Sequence, residues 1–291
     1  MAAGILLSRL SGFVRQKIFS YYLGNSDAAG VFSAAYRIPN FLQNLFGEGV
    51  LSASFIPVYA RLLAEGEEEL AGRVAGIIAS LLALTVAILV LIGVLLTPWL
   101  LIVIAPGFKG DARELTIVVV RILFPGIGLL VMSSWCLGVL NSHRKFFISY
   151  VAPVLMNIVM IATLLFFGGR VSDRDLAVWA AWGTVIGAAA MLAIQLPFVF
   201  RYAKHLRFAI DTALEPVRNV VKNFIPVVIA RGVVQLSAYL DNLLATLLGT
   251  AAASGLSYAQ LIALLPLSLF GMSVAAAELP QMSSTLGSDE E

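Results

Sequence analysis

Residues 74–104 read VAGIIASLLALTVAILVLIGVLLTPWLLIVI, with no charged side chain from end to end. An α-helix rises about 1.5 Å per residue and the hydrocarbon core of a bilayer is about 30 Å thick, so roughly 20 apolar residues cross it. This stretch exceeds that length. In water it would have to be hidden completely; in a bilayer it needs only lipid around it.

The rest of the chain has the same character. Of 291 residues, 60% are hydrophobic and 12% charged, against roughly 25% charged in an average soluble protein. Length alone would allow about two soluble domains of roughly 150 residues, but polar side chains are too few to cover them. The formal net charge of +2 excludes the strongly basic surface that a nucleic-acid partner requires. Cys136 is the single cysteine, so neither an intrachain disulfide nor a Cys cluster can form. His143 and His205 stand in short basic loops, too few for a metal site without acidic partners. No GxGxxG or Walker loop is present, and no Ser/His/Asp arrangement is suggested. An enzyme is a poor fit, and no cofactor is expected.

Seven further apolar segments of comparable length stand at 4–24, 31–60, 115–140, 147–168, 176–200, 223–249 and 254–280. The first is no signal peptide, because Arg9, Arg15 and Lys17 interrupt its apolar core. Polar breaks separate the segments, and the longest, Arg201 to Lys222, is the one that resembles a linker. The expected fold is an all-α polytopic membrane protein with about eight transmembrane helices: a six-helix N-lobe over 1–214 and the first two helices of a second lobe over 215–291. A short repeat supports that division. Leu45-Phe46-Gly47-x-x-Val50 recurs as Leu269-Phe270-Gly271-x-x-Val274, and the same shift lays the turn at Asn25 to Ala29 on that at Gly249 to Ala253. Parallel repeats are a transporter habit; a chance match of one short motif is the alternative.

Orientation follows from the basic residues of alternate loops. With the N-terminus inside, the inner loops hold nine: Arg61, Arg73, Arg144, Lys145, Arg201, Lys204, Arg207, Arg218 and Lys222. The outer loops hold four: Lys109, Arg113, Arg170 and Arg174. The expected N-terminus is cytoplasmic.

The remaining basic residues, Arg9, Arg15, Lys17, Arg37, Arg121 and Arg231, fall inside apolar segments, as do Glu48, Asp241 and Glu278. Each costs at least about 2.5 kcal/mol at membrane depth, so each needs a hydrated cavity, a partner or a nearby interface. In Ser8-Arg9-x-x-Gly12-x-x-Arg15 the two arginines stand about 9 Å apart along one side of a helix. Two guanidiniums on a cavity wall suit a diphosphate, whose oxygens accept the planar Arg fork; anchoring at the cytoplasmic surface is the other reading. In the second segment, Arg37, Asn40, Asn44 and Glu48 recur at helical spacing as one wet stripe. Pro39 and the glycines beside Glu48 predict a bend there. Glu48 either pairs structurally with an arginine or titrates as substrate comes and goes. In the seventh segment, Asp241 with Asn242 could contribute to a cation site or to a buried ion pair. Arg121 and Glu278 suit snorkelling at helix ends, and the four tryptophans suit interfacial belts.

Taken together, Ser8-Arg9-Leu10-Ser11-Gly12-Phe13-Val14-Arg15, Arg37-Ile38-Pro39-Asn40, Phe46-Gly47-Glu48-Gly49 and Ser52-x-x-Phe55-Ile56-Pro57 resemble the signature of the MurJ/MviN lipid II flippase family. Ala105-Pro106-Gly107-Phe108, Leu140-Asn141, and Ala152-Pro153 with Asn157 extend the resemblance along the chain. It implies a transporter of the multidrug/oligosaccharidyl-lipid/polysaccharide exporter superfamily, with two lobes facing across a central cavity. By that comparison the chain holds the whole first lobe and the first two helices of the second, a fragment or a shortened form. The resemblance implies a bacterial inner-membrane protein that moves lipid II from the cytoplasmic to the outer leaflet by alternating access. Membrane lipids surround it, and sodium or proton coupling is implied, with no nucleic acid.

The substrate-binding set implied is Arg9, Arg15, Arg37, Glu48, Ser20, Gln43, Ser254 and Gln260. Asp241 matches part of a sodium site whose other ligands would lie beyond residue 291. The chain departs from the pattern at Gln43, where the family usually has arginine, and at Gly30, where many members have aspartate. Tyr258-Ala259-Gln260-Leu261 replaces Tyr-Ala-Asp-Arg, and Leu264 replaces an acidic or polar residue. These departures leave two alternatives open: export of another polyprenyl-diphosphate-linked glycan, or a non-transporting scaffold for cell-wall machinery.

Overall fold

The structure is a computed structural model and describes residues 2–266. The described residues form nine α-helices: α1 Ala2–Leu23, α2 Asp27–Phe46, α3 Glu48–Ala64, α4 Glu68–Ile104, α5 Gly110–Ser142, α6 Phe146–Phe167, α7 Asp173–Tyr202, α8 Glu215–Leu247 and α9 Thr250–Pro266. The one helix beyond the expected count comes from residues 31–60, which form two helices, α2 and α3. That segment runs unbroken through residue 39 and divides at Gly47, whose backbone turns extended (φ −87°, ψ −151°). The bend expected at Pro39 is therefore a break one glycine further on, where two nearby glycines weaken the helix by about 1 kcal/mol each relative to alanine. The repeat copy at Leu269 to Val274, the end of the eighth segment, and Glu278 lie outside the described residues.

Helix ends follow local chemistry. The Ser26 hydroxyl accepts from the Ala29 N–H at 3.3 Å and starts α2. The Ser172 hydroxyl accepts from the Asp175 N–H at 3.2 Å and starts α7. Asp173 and Asp175 sit in the first turn of α7 and Arg201 in its last, each opposite the helix dipole charge nearest to it. Residues 203–214, between α7 and α8, carry no helix.

Four helices are long and apolar enough to cross a membrane by length and composition: α4, α5, α6 and α7. The others fall short for reasons written in their sequences. α3 has 17 residues, α9 is described only as far as Pro266, and α1, α2 and α8 carry the charged and amide side chains already noted. On α4 the exposed side chains Leu84, Ile88, Leu91, Leu95, Trp99 and Ile102 form one continuous stripe at helical spacing. A stripe of that length has no place in water and suits lipid contact.

Inside, α5 packs on α2, α4 and α7, and α6 on α1 and α7. The α6–α7 approach uses small residues, as membrane helices do when lipid supplies no hydrophobic drive. A Cβ at Gly183 would stand 2.7 Å from Thr163 Oγ1, and one at Gly187 would stand 3.0 Å from Met156 Cγ. The core falls into two main clusters, one around Phe124, Leu164 and Ala180, the other around Phe55, Tyr59, Trp135 and Leu140. Against this bundle α8 packs on α3, and α9 on α2.

Candidate functional site

A cavity of about 800 Å³ opens where α1, α2, α3, α5, α6, α7 and α8 converge. Its cations are Arg15 of α1 and Arg231 of α8; Gln43, Asn44, Ser52, Ser133, Ser134 and Asn157 add amides and hydroxyls. The chain breaks between α2 and α3 at the edge of this space, so Gly49, Ser52 and Ala53 line it together with Gln43 and Asn44.

Arg15 is held in place from α6. Its Nη1 donates to Asn157 Oδ1 at 3.2 Å. The Asn157 amide donates in turn to Ser11 Oγ at 2.8 Å and to the Ser8 carbonyl at 3.3 Å. Asn157 is buried, and Gly12 lies under its amide. Both ends of one amide are thus spent on α1, and the guanidinium keeps further N–H donors for whatever enters the cavity. On the opposite side, the buried Gln195 of α7 accepts from Ser133 Oγ at 2.5 Å, which orients a hydroxyl of the lining.

A second polar group lies apart from the cavity, where α9 meets α2. Arg37 Nη2 donates to Ser257 Oγ at 2.9 Å and to Gln260 Oε1 at 3.1 Å. Tyr258 donates to the Gly24 carbonyl at 2.7 Å and lies beside Ser20. Ser254 donates to Asn25, and Thr250 to Asp27. The backbones approach so closely here that a Cβ at Gly30 would stand 2.2 Å from the Thr250 carbonyl oxygen. The two turns that the repeat lays on each other, at Asn25 to Ala29 and at Gly249 to Ala253, therefore face each other across this seam.

The residues singled out in the sequence divide between these two places. Arg15 and Gln43 line the cavity. Arg37, Ser20, Ser254 and Gln260 belong to the seam. Arg9 is half-buried on α1, outside the cavity lining. Glu48 opens α3, and its side chain lies outside the described residues. Asp241 is exposed on α8, and among the described residues no group of three or more His, Cys, Asp or Glu is placed to hold a metal ion. Sequence reasoning gave no site role to Arg231, Ser133 or Gln195. Arg231 stood out as a charge inside an apolar segment, but nothing in the sequence links it to Gly49.

The fold has counterparts among known proteins. The chain is 32% identical over 291 residues to the probable lipid II flippase MurJ of Haemophilus influenzae, covering 96% of this chain and 56% of that one. It is 28% identical over 288 residues to the lipid II flippase MurJ of Burkholderia cenocepacia, covering 96% and 55%. The chain thus spans about half the length of the curated relatives it matches. In three dimensions it resembles a lipid II flippase MurJ in an inward closed conformation, with a TM-score of 0.80, 22% identity, and coverage of 97% of this chain and 58% of that one. An inward-facing transporter of the MATE family within the MOP superfamily shares the fold with a TM-score of 0.73 and 18% identity, over 97% and 63% of the two chains. The family model described as lipid II flippase MurJ matches residues 19–291, and the chain belongs to that family.

Proposed function

We propose that this chain supplies the first lobe, residues 1–214, and the opening helices of the second, residues 215–291, of a transporter that flips lipid II across the bacterial inner membrane by alternating access. The observation that carries this reading is the 800 Å³ cavity with Arg15 held on its wall, inside a bundle whose exterior is apolar. An anionic diphosphate headgroup needs a wet, cationic interior, and a polyprenyl tail needs lipid. With the N-terminus cytoplasmic, Arg15 and Asn157 fall near the middle of the membrane and Ser133 toward its cytoplasmic side, and the seam at Gly24 and Thr250 falls at the outer end. That is the arrangement of a transporter open inward and closed outward. Arg15 binds the diphosphate, Gln43 and Asn44 bind sugar or peptide hydroxyls and amides, and Arg37 with Gln260 and Ser254 holds the outer side shut. Gln43 lines the cavity where the family usually carries arginine, which favours a modified lipid-linked glycan as the second reading.

The test is rescue of cells depleted of their own flippase by a full-length protein carrying this sequence. Arg15→Ala, expressed at the level of the unsubstituted protein, is expected to abolish rescue. Normal growth with Arg15→Ala would remove the cavity from the mechanism.

A further inference from the structure

We infer that Arg231 is a second diphosphate ligand, contributed from α8 and seated on Gly49, so that one bound headgroup is gripped from both lobes at once; this rests on the reading of the cavity given above. Arg231 and Arg15 line the same space but come from helices at opposite ends of the chain. The Arg231 guanidinium lies directly on α3: a Cβ at Gly49 would stand 2.1 Å from its Nη2 and 2.2 Å from its Cζ. In that position only hydrogen on the α-carbon leaves room for it, and a methyl group would push the side-chain tip aside. Both guanidiniums line a cavity of about 800 Å³, which has room for an anion. A diphosphate carries more negative charge than one guanidinium balances, and its two phosphoryl groups offer oxygens to two planar forks. A ligand held by α1 and α8 together ties the first lobe to the second, and occupancy of the cavity then bears on how the two are placed. Gly49 acts as a positioning residue, because it touches Arg231 and not the anion.

The experiment uses the full chain purified in detergent, with farnesyl diphosphate, farnesyl monophosphate and inorganic pyrophosphate as probes in binding titrations. Farnesyl diphosphate is expected to bind more tightly than the monophosphate, and Arg231→Gln is expected to weaken it about tenfold or more. Gly49→Ala, which favours helix and displaces only a flexible side-chain tip, is expected to weaken it in the same direction with an unchanged melting temperature. The double variant is expected to lose no more than Arg231→Gln alone, since both remove one contact. Unchanged affinity in Arg231→Gln beside a clear loss in Arg15→Gln overturns the role of Arg231 and leaves the cavity reading standing. A wild-type chain that binds none of the probes overturns both. Equal affinity for inorganic pyrophosphate supports Arg231 as a diphosphate ligand and overturns the lipid as its source.

Discussion

The helices α4, α6 and α7 and the helices α1, α2, α3, α8 and α9 follow different rules within one bundle, with α5 serving both. The first group is apolar almost throughout, meets lipid on one side and packs through small residues on the other. The second group is shorter or more polar: α9 meets α2 and the turn at Gly24 through hydrogen bonds to a guanidinium and a carbonyl, and α1 is tied to the amide of Asn157, the polar exception on α6. The difference shows what each costs and supports. An apolar helix is stable in a bilayer with any neighbour of the right shape, whereas a helix carrying Arg15, Arg37 or Arg231 is stable there only beside water or a matched partner. The polar helices therefore specify their neighbours, and the cavity and the seam are the places where that specification is met.

The largest effect that would break this contrast is expected at Gly30. Leucine there would meet the backbone carbonyl of Thr250, which no side-chain rotation can relieve. With Asn25→Cys and Ser254→Cys as reporters, the yield of a short bifunctional cross-link is expected to fall at least about tenfold. Leu95→Ala, on the exposed apolar stripe, is expected to leave it unchanged. Undiminished cross-linking in Gly30→Leu would mean that the seam is no more exacting than the lipid-facing side.

A smaller loss is expected from Arg37→Gln, which removes the charged donor shared by Ser257 and Gln260. Charged hydrogen bonds contribute about 1.5–3 kcal/mol each when fully desolvated, and these are half-buried. A fall of about fivefold in the same cross-link is expected. No fall would assign the closure to the hydroxyls of Thr250 and Tyr258 alone.

The smallest effect sits at the α5 C-terminus, where His143 accepts or donates at 2.9 Å to Tyr59 and stacks on Tyr202, whose ring lies under Lys145. Burial pushes His143 below its usual 6.5, and the Lys145 charge adds to that against the pull of Glu68. The folded chain thus holds this imidazole neutral while the unfolded chain takes up a proton at 6.5. Its contribution is fully present above 6.5 and is lost as pH falls from there through the lowered folded value. The melting temperature in detergent is expected to drop over that window, and His143→Gln to flatten the drop. An equal slope in both would place the acid sensitivity elsewhere.

Much of this architecture is readable in residues 74–104 and their counterparts, because hydrophobic length is a local property. The turn at Asn25 and the polar character of the second segment are readable for the same reason. The division at Gly47 is partly so: the glycines marked a weak point, while the preference for a break over a bend at Pro39 depends on what α3 packs against. Arg15 was visible as a costly charge, but its anchor, Asn157, lies 142 residues further along the chain. Arg37 looked like Arg15 in sequence and serves the seam instead, because α9 presents Ser257 and Gln260 to it.

By itself the sequence determined the solvent, the helices, their order and the charges that had to be accommodated, since each depends on composition and spacing along a single segment. Only the tertiary structure decided which charges share a space. That choice depends on how each helix is rotated about its axis and how near its neighbours come, and those are set by close contacts such as Gly49 under Arg231 and Gly30 against Thr250.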